Sequence, residues 1–190
     1  MMGSRIIQLG ILTLTMIYLA QAAEAAETQS RHLPPKAAAT APPVQRLGGV
    51  GGWNAYLYKE KSGRVCYLAG GPKKTEPAHL RRRPPAAMVT HRPQENVANV
   101  VSFNEGTPLR VESDASLEVD GTHFDLFTKG DTAWSRTSDL DRTIVAAMAK
   151  GRQAIVRTVP QKGPPVIDTY SLSGFAQTLA LIDKACDVKR

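Results

Sequence analysis

Residues 116–127, SLEVDGTHFDLF, are two alternating runs folded about one turn. Ser116–Val119 reads as a strand, Asp120-Gly121 is the dipeptide that a tight hairpin turn demands, and His123–Phe127 returns. Phe124 and Leu126 share one face and Asp125 points to the other, because successive side chains of a strand alternate.

The same period of two runs outward in both directions. Trp53–Tyr58 and Arg64–Ala69 form a second hairpin around Lys61-Ser62-Gly63. Ala86–His91, Val97–Phe103, Leu109–Glu112, Arg152–Val159 and Val166–Tyr170 are further short strands, and Thr132–Trp134 follows a turn at Lys129-Gly130-Asp131. Many short strands with turns every eight to twelve residues or so predict an antiparallel β-sandwich or small barrel. Trp53 and Trp134 are expected to be core anchors.

Two helices interrupt the strands. Ser138 is an expected N-cap with Asp141 three positions on, Leu140, Ile144 and Met148 recur at helical spacing, and Gly151 ends the run. A second helix is expected from Ser173, with Ser171–Gly174 as its capping segment. Phe175, Leu179, Ile182 and Cys186 lie on its apolar stripe, which must pack on the sheet.

At the N-terminus, Arg5 precedes an apolar run from Ile6 to Ala20, with small residues at Ala20-Gln21-Ala22 and Ala23-Glu24-Ala25. This is the pattern of a secretory signal peptide over residues 1–25, cleaved after Ala22 or Ala25. The run falls short of the ~20 residues a spanning helix needs. No later stretch approaches that length, so no transmembrane segment is expected after cleavage. Residues 26–52 hold Pro34-Pro35, Ala37–Ala39, Pro42-Pro43 and Gly48–Gly52 with few apolar side chains, and read as a flexible linker. A single domain is expected over residues 53–190.

Export changes the reading of the two cysteines, Cys66 and Cys186. In an oxidising compartment a lone pair is most simply a disulfide. Two buried thiols or one intermolecular bridge are the alternatives. With Cys66 in an early strand and Cys186 on the inward stripe of the last helix, the bridge would pin that helix to the first hairpin. Four scattered histidines and two distant cysteines show no metal-ligand spacing, and no cofactor motif is present.

The chain carries +7 overall. The domain from Trp53 holds twenty basic and fifteen acidic residues, and much of the excess sits in Lys73, Lys74, Arg81, Arg82 and Arg83, which flank His79. In an exported protein such a loop suits an anionic envelope or host-surface partner; charge that merely keeps the protein soluble is the alternative. Nucleic acid fits less well, since no aromatic residues interleave the cluster. Asp168, Ser171 and Ser173 lie close together, but neither serine sits in a Gly-x-Ser-x-Gly elbow and no histidine is near. Asp125 and Asp131 are a strand residue and a turn residue. The expectation is therefore a binding or structural protein. The rivals are a hydrolase whose acidic and hydroxyl groups converge only in three dimensions, and a chaperone or inhibitor with an exposed groove or sheet edge.

The domain resembles the invasion-associated locus B (IalB) family. The likeness rests on Cys66-Tyr67, Pro72-Lys73-Lys74, Arg92-Pro93, Asp120-Gly121, Phe124–Phe127, Gly130–Trp134, Met148 with Gly151, Asp168–Phe175 and Cys186, in that order and spacing. Gly106-Thr107-Pro108 departs from the pattern, in which an aromatic residue often stands between the Gly and the Pro. The resemblance implies a periplasmic, secreted or outer-surface-associated alphaproteobacterial protein. In pathogenic members it implies virulence through entry into host cells, notably erythrocytes; in free-living members, a general envelope role. It brings no catalytic residues with it.

Overall fold

The structure, a computed structural model, describes residues 43–190. The expected signal peptide, its cleavage sites and the linker up to residue 42 lie outside the described residues.

The order of elements is β1 (Gln45–Val50), β2 (Trp53–Glu60), β3 (Gly63–Gly70), β4 (Lys74–Glu76), β5 (Ala86–Arg92), a 3₁₀ turn at Pro93–Glu95, β6 (Val97–Asn104), β7 (Ala115–Val119), β8 (Thr122–Lys129), β9 (Thr132–Trp134), α1 (Ser138–Lys150), β10 (Gln153–Thr158), β11 (Val166–Ser171) and α2 (Phe175–Cys186). The strands run β1-β2-β3-β5-β6-β9-β8-β7-β10-β11-β4, and every pairing is antiparallel. Strand β8 joins the two halves: Thr122–Leu126 pairs with β7, whereas Phe127–Lys129 pairs with β9. Asp120 and Gly121 both take positive φ, 45° and 88°, and close a two-residue turn between Val119 and Thr122, the geometry that matches strand twist.

Alternation decides which face is covered. Trp53, Ala55, Cys66, Leu68, Ala87, Val89, Val101 and Phe103 from β2, β3, β5 and β6 are buried, as are Leu117, Leu126, Val156 and Tyr170 from the other half. Helix α2 adds Phe175, Leu179 and Ile182, and α1 adds Ile144, Val145 and Met148. Each Val, Leu, Ile, Phe or Met among them contributes on the order of 1.5–3 kcal/mol by leaving water. Trp53 anchors the junction. Its ring meets Phe175 edge-on with centroids 5.0 Å apart, and its Nε1–H donates to the Ser171 carbonyl at 2.9 Å. The expected disulfide is present, between Cys66 in β3 and Cys186 at the end of α2.

Five expectations are revised. Gln45–Val50, placed in the linker from sequence, is a strand paired with β2; the ladder bulges between Arg46 and Gly48, and a Cβ on Gly49 would lie 2.2 Å from the Trp53 carbonyl oxygen. Leu109–Glu112 is no strand. Only Leu109 finds a bridge partner, Pro160, and Glu112 turns the chain at φ 55°. Thr137, not Ser138, caps α1 by accepting from the Leu140 N–H at 3.2 Å, and Asp141 instead accepts from the Val101 N–H at 2.8 Å inside the core. Helix α2 begins at Phe175 behind Gly174, whose φ of 85° and close approach to the Val50 carbonyl replace a serine cap. Trp134 is only half-buried and faces outward.

Candidate functional site

Between β4 and β5 the chain runs from Pro77 to Pro85 with three successive arginines. In this loop Arg81 and Arg83 face water while the Arg82 side chain points inward. Its guanidinium lies 2.8 Å from Glu105 Oε2 and 2.5 and 2.6 Å from the two oxygens of Asp168, and it also donates to the Glu105 carbonyl at 2.9 Å. The side chains of Arg82, Glu105 and Asp168 are 4 %, 1 % and 0 % exposed, which makes this a fully interior cluster. Thr75 of β4 donates to Asp168 at 2.5 Å. One cation thus clasps the 77–85 loop to the end of β6 and to β11.

Burial pulls the Arg82 guanidinium down, but the two carboxyl groups outweigh it and hold it above its ordinary range. Glu105 moves the other way. Burial, reinforced by the neighbouring Asp168 charge, pushes it up to about 8 despite the Arg82 contact. Geometry and electrostatics pull apart here, since an ion pair suggests a charged glutamate. We favour a protonated Glu105 at neutral pH: Asp168 takes both short guanidinium contacts, and a second buried negative charge would lack a counter-ion. The Tyr170 hydroxyl, held far above its usual range by burial and then by Glu105 and Asp168, has no hydrogen-bond partner among the described residues, and neither has Glu105 Oε1.

The three charged side chains are almost wholly buried. What it does chemically is to position the loop. Lys73, Lys74, Arg81 and Arg83 remain exposed. Lys74 pairs with Glu76 at 3.1 Å and Arg83 with Asp131 at 2.5 Å, while Lys73 and Arg81 have no ion-pair partner among the described residues. Arg82 therefore leaves the expected contact set, because its charge is spent inside. No local signal separated Arg82 from its neighbours, because the run lies in a loop, where side chains do not alternate as they do along a strand.

The other sequence candidates do not converge. Asp168 is in the clasp, Asp131 pairs with Arg83, and Asp125 stands exposed on β8 beside a shallow hollow of about 580 Å³ shared with Glu112 and Asp114. Ser171 accepts from the Ser173 N–H at 3.3 Å. A His–Asp pair does exist: Nε2 of the buried His91 meets Asp183 Oδ1 at 2.9 Å. Its Nδ1 accepts from the Asn99 N–H at 3.0 Å, so both ring nitrogens are used within the protein and none faces a nucleophile. Among the described residues no group of three or more His, Cys, Asp or Glu side chains is placed to hold a metal ion. No helix among them is long and apolar enough to cross a membrane.

Sequence reasoning missed one surface. The outer face of β2, β3, β5, β6 and β9 is concave, with about 560 Å³ lined mostly by apolar groups that include Tyr58, Val65, Tyr67, Met88, Val100 and Trp134. Tyr56 and Tyr67 stack beside it with centroids 5.0 Å apart. The alternating residues opposite the core form this face, and their apolar character was the available signal.

These features define a disulfide-bridged, mainly antiparallel β-sheet domain with two packed helices and an ion-clasped basic loop. The chain belongs to the Invasion associated locus B (IalB) protein family, whose model matches residues 53–183. The fold is similar to the crystal structure of invasion associated protein B from Bartonella henselae, with a TM-score of 0.52 at 17 % sequence identity, covering 72 % of this chain and 95 % of that one. No curated protein matches the sequence.

Proposed function

We propose that the protein is an exported, non-enzymatic envelope protein, periplasmic or surface-associated, that binds an anionic envelope or host-surface partner through Lys73, Lys74, Arg81 and Arg83. In a host-associated bacterium that contact contributes to invasion. The signal-like N-terminus, the disulfide and the family membership support the reading. The observation that carries it is the inward Arg82, which holds its neighbours Arg81 and Arg83 outward on a fixed loop. A lysine or arginine cluster on a rigid support loses less entropy on binding than one on a free tail. Reversing the four exposed charges to glutamate tests it. Binding of the mature protein to envelope or host-cell fractions should fall sharply and become insensitive to salt. Unchanged binding would remove the loop as the contact.

One observation favours a second reading, an envelope chaperone or inhibitor: the apolar concavity over β3, β5 and β6. Met88→Asp should then abolish suppression of aggregation of unfolded envelope proteins while leaving the fold intact. An unaffected variant, or a wild-type protein without that activity, would dismiss it.

A further inference from the structure

Strand register lays out the hollow on the outer sheet face in two rows. Tyr56, Tyr67, Thr90 and Val100 stand side by side across β2, β3, β5 and β6, and Ala69, Met88, Ser102 and Trp134 across β3, β5, β6 and β9. Three strand spacings, roughly 14 Å, separate Tyr67 on β3 from Trp134 on β9. Tyr67 is backed by the stacked ring of Tyr56 and met edge-on by Tyr58. At about 560 Å³ the hollow has the size of a small-molecule cleft.

Hydroxyl groups distinguish it from a plain apolar patch. Ser102 lines the hollow and is only 6 % exposed, yet no other described group takes up its hydroxyl. The Thr90 hydroxyl, also in the lining, is likewise unclaimed. Asn104 and Thr132, by contrast, bond each other at 3.1 Å. The lining carries no net charge. Among the described residues Arg92 is its one ion, and Glu60 meets that guanidinium at 2.6 Å.

We propose that this face binds a neutral saccharide chain, laid across the strands between the Tyr67 and Trp134 rings. A pyranose ring has C–H faces that stack on aromatic rings and a rim of hydroxyls that both donate and accept. Those two surfaces match the rings at either end of the hollow and the free Thr90 and Ser102 hydroxyls between them. Charge complementarity points the same way, since an anionic ligand finds no unpaired cation in the lining. An acyl chain would cover the two hydroxyls without bonding to them, which is unfavourable. An extended polypeptide cannot add to the sheet here, because the backbone groups of β3, β5 and β6 already pair with one another. The saccharide takes the place of the unfolded polypeptide considered above and is independent of the loop contact.

The test titrates the mature protein calorimetrically with cellotetraose, maltotetraose and chitotetraose, which differ in linkage and in the acetamido group, and with dodecanoic acid as the apolar rival. At least one saccharide should bind with an affinity that added salt leaves unchanged, and should shift the Trp134 indole N–H resonance. Trp134→Ala should weaken that binding about tenfold and Ser102→Ala about fivefold. Should Trp134→Ala not fold, Ser102→Ala and the wild-type indole shift decide. For an apolar occupant the serine substitution has the opposite sign and tightens binding. The proposal is overturned by three saccharides that do not bind, by binding that Ser102→Ala leaves unchanged, or by tighter binding of dodecanoic acid that Ser102→Ala strengthens. Reversing the charges of Lys73, Lys74, Arg81 and Arg83 should leave saccharide affinity as it is, so failure of the loop contact and failure of this site are read separately.

Discussion

Cys186, the last residue of α2, is bonded to Cys66 in β3, 120 residues earlier in the chain. The bond closes nearly the whole domain into one loop and fixes the final helix over the first hairpin. Both cysteines are buried.

Replacing the pair by alanine should therefore destabilise the domain. The chain-entropy limit for a loop this long is about 5 kcal/mol, and native disulfides typically contribute about 2–4 kcal/mol. Urea denaturation of Cys66→Ala/Cys186→Ala beside the wild type, each with and without reductant, measures the difference. Reductant should weaken only the wild type.

Arg82 and Arg83 are adjacent but should respond very differently to truncation. Arg82→Met leaves two buried carboxyl groups without their cation, a loss of about 3–5 kcal/mol. Arg83→Met breaks a pair whose guanidinium is 73 % exposed, and should change stability by less than about 1 kcal/mol. Denaturant midpoints of the two variants check the contrast.

Glu105 sets an alkaline limb of stability. Its carboxyl is raised from 4.5 to about 8 in the fold. Between those values the native state holds a proton that the unfolded chain has released, so unfolding releases it and stability decreases with rising pH. The contribution is complete below about 4.5 and is lost as pH climbs through about 8. Denaturation midpoints across that window should slope downward in the wild type and flatten in Glu105→Gln.

Asp183 sets the acid limb with the opposite sign. Burial alone would raise it, but His91 and Arg190 prevail and hold it below its ordinary 3.8. Its stabilisation is present above that value and is lost as pH falls through the lower folded value. Asp183→Asn should blunt the acid limb, read by circular dichroism during acid titration. It should also loosen the C-terminus, where Arg190 reaches Asp183 at 2.5 Å and Asn99 at 2.9 Å.

Gly106 is a position where only glycine fits. Its φ is 67°, and a Cβ there would stand 2.1 Å from the Arg83 carbonyl oxygen. Gly106→Ala should cost more than the roughly 1 kcal/mol of ordinary left-handed strain, because the clash falls on the loop clasp itself. Thermal melts should show the loss, and exchange at the Arg83 amide should accelerate with it.

Local patterns carried most of the fold. The Asp120-Gly121 turn and the alternation around it were readable because strand faces and turn angles depend on neighbours in sequence. So was the stripe from Phe175 to Cys186, which predicted the inward cysteine. Gln45–Val50 was misread because Gly48 and Gly49 look like a linker; only the close pass of Trp53 and Asn54 explains them as part of a strand. Leu109–Glu112 has a strand's alternation and lacks a partner strand. Pairing is a property of the assembled sheet.

The candidate site was legible only at its surface. Sequence alone determined a basic loop, a cysteine pair, the strand period and the family, all properties of composition, spacing or short-range geometry. Tertiary structure decided that Arg82 turns away from its neighbours to meet Asp168, 86 positions along the chain, and Glu105. It also decided that His91 and Asp183 form a closed pair and that the outer sheet face is hollow. The physical reason is range. A charge has no fixed role until folding settles which counter-charges it meets and how much water is left between them.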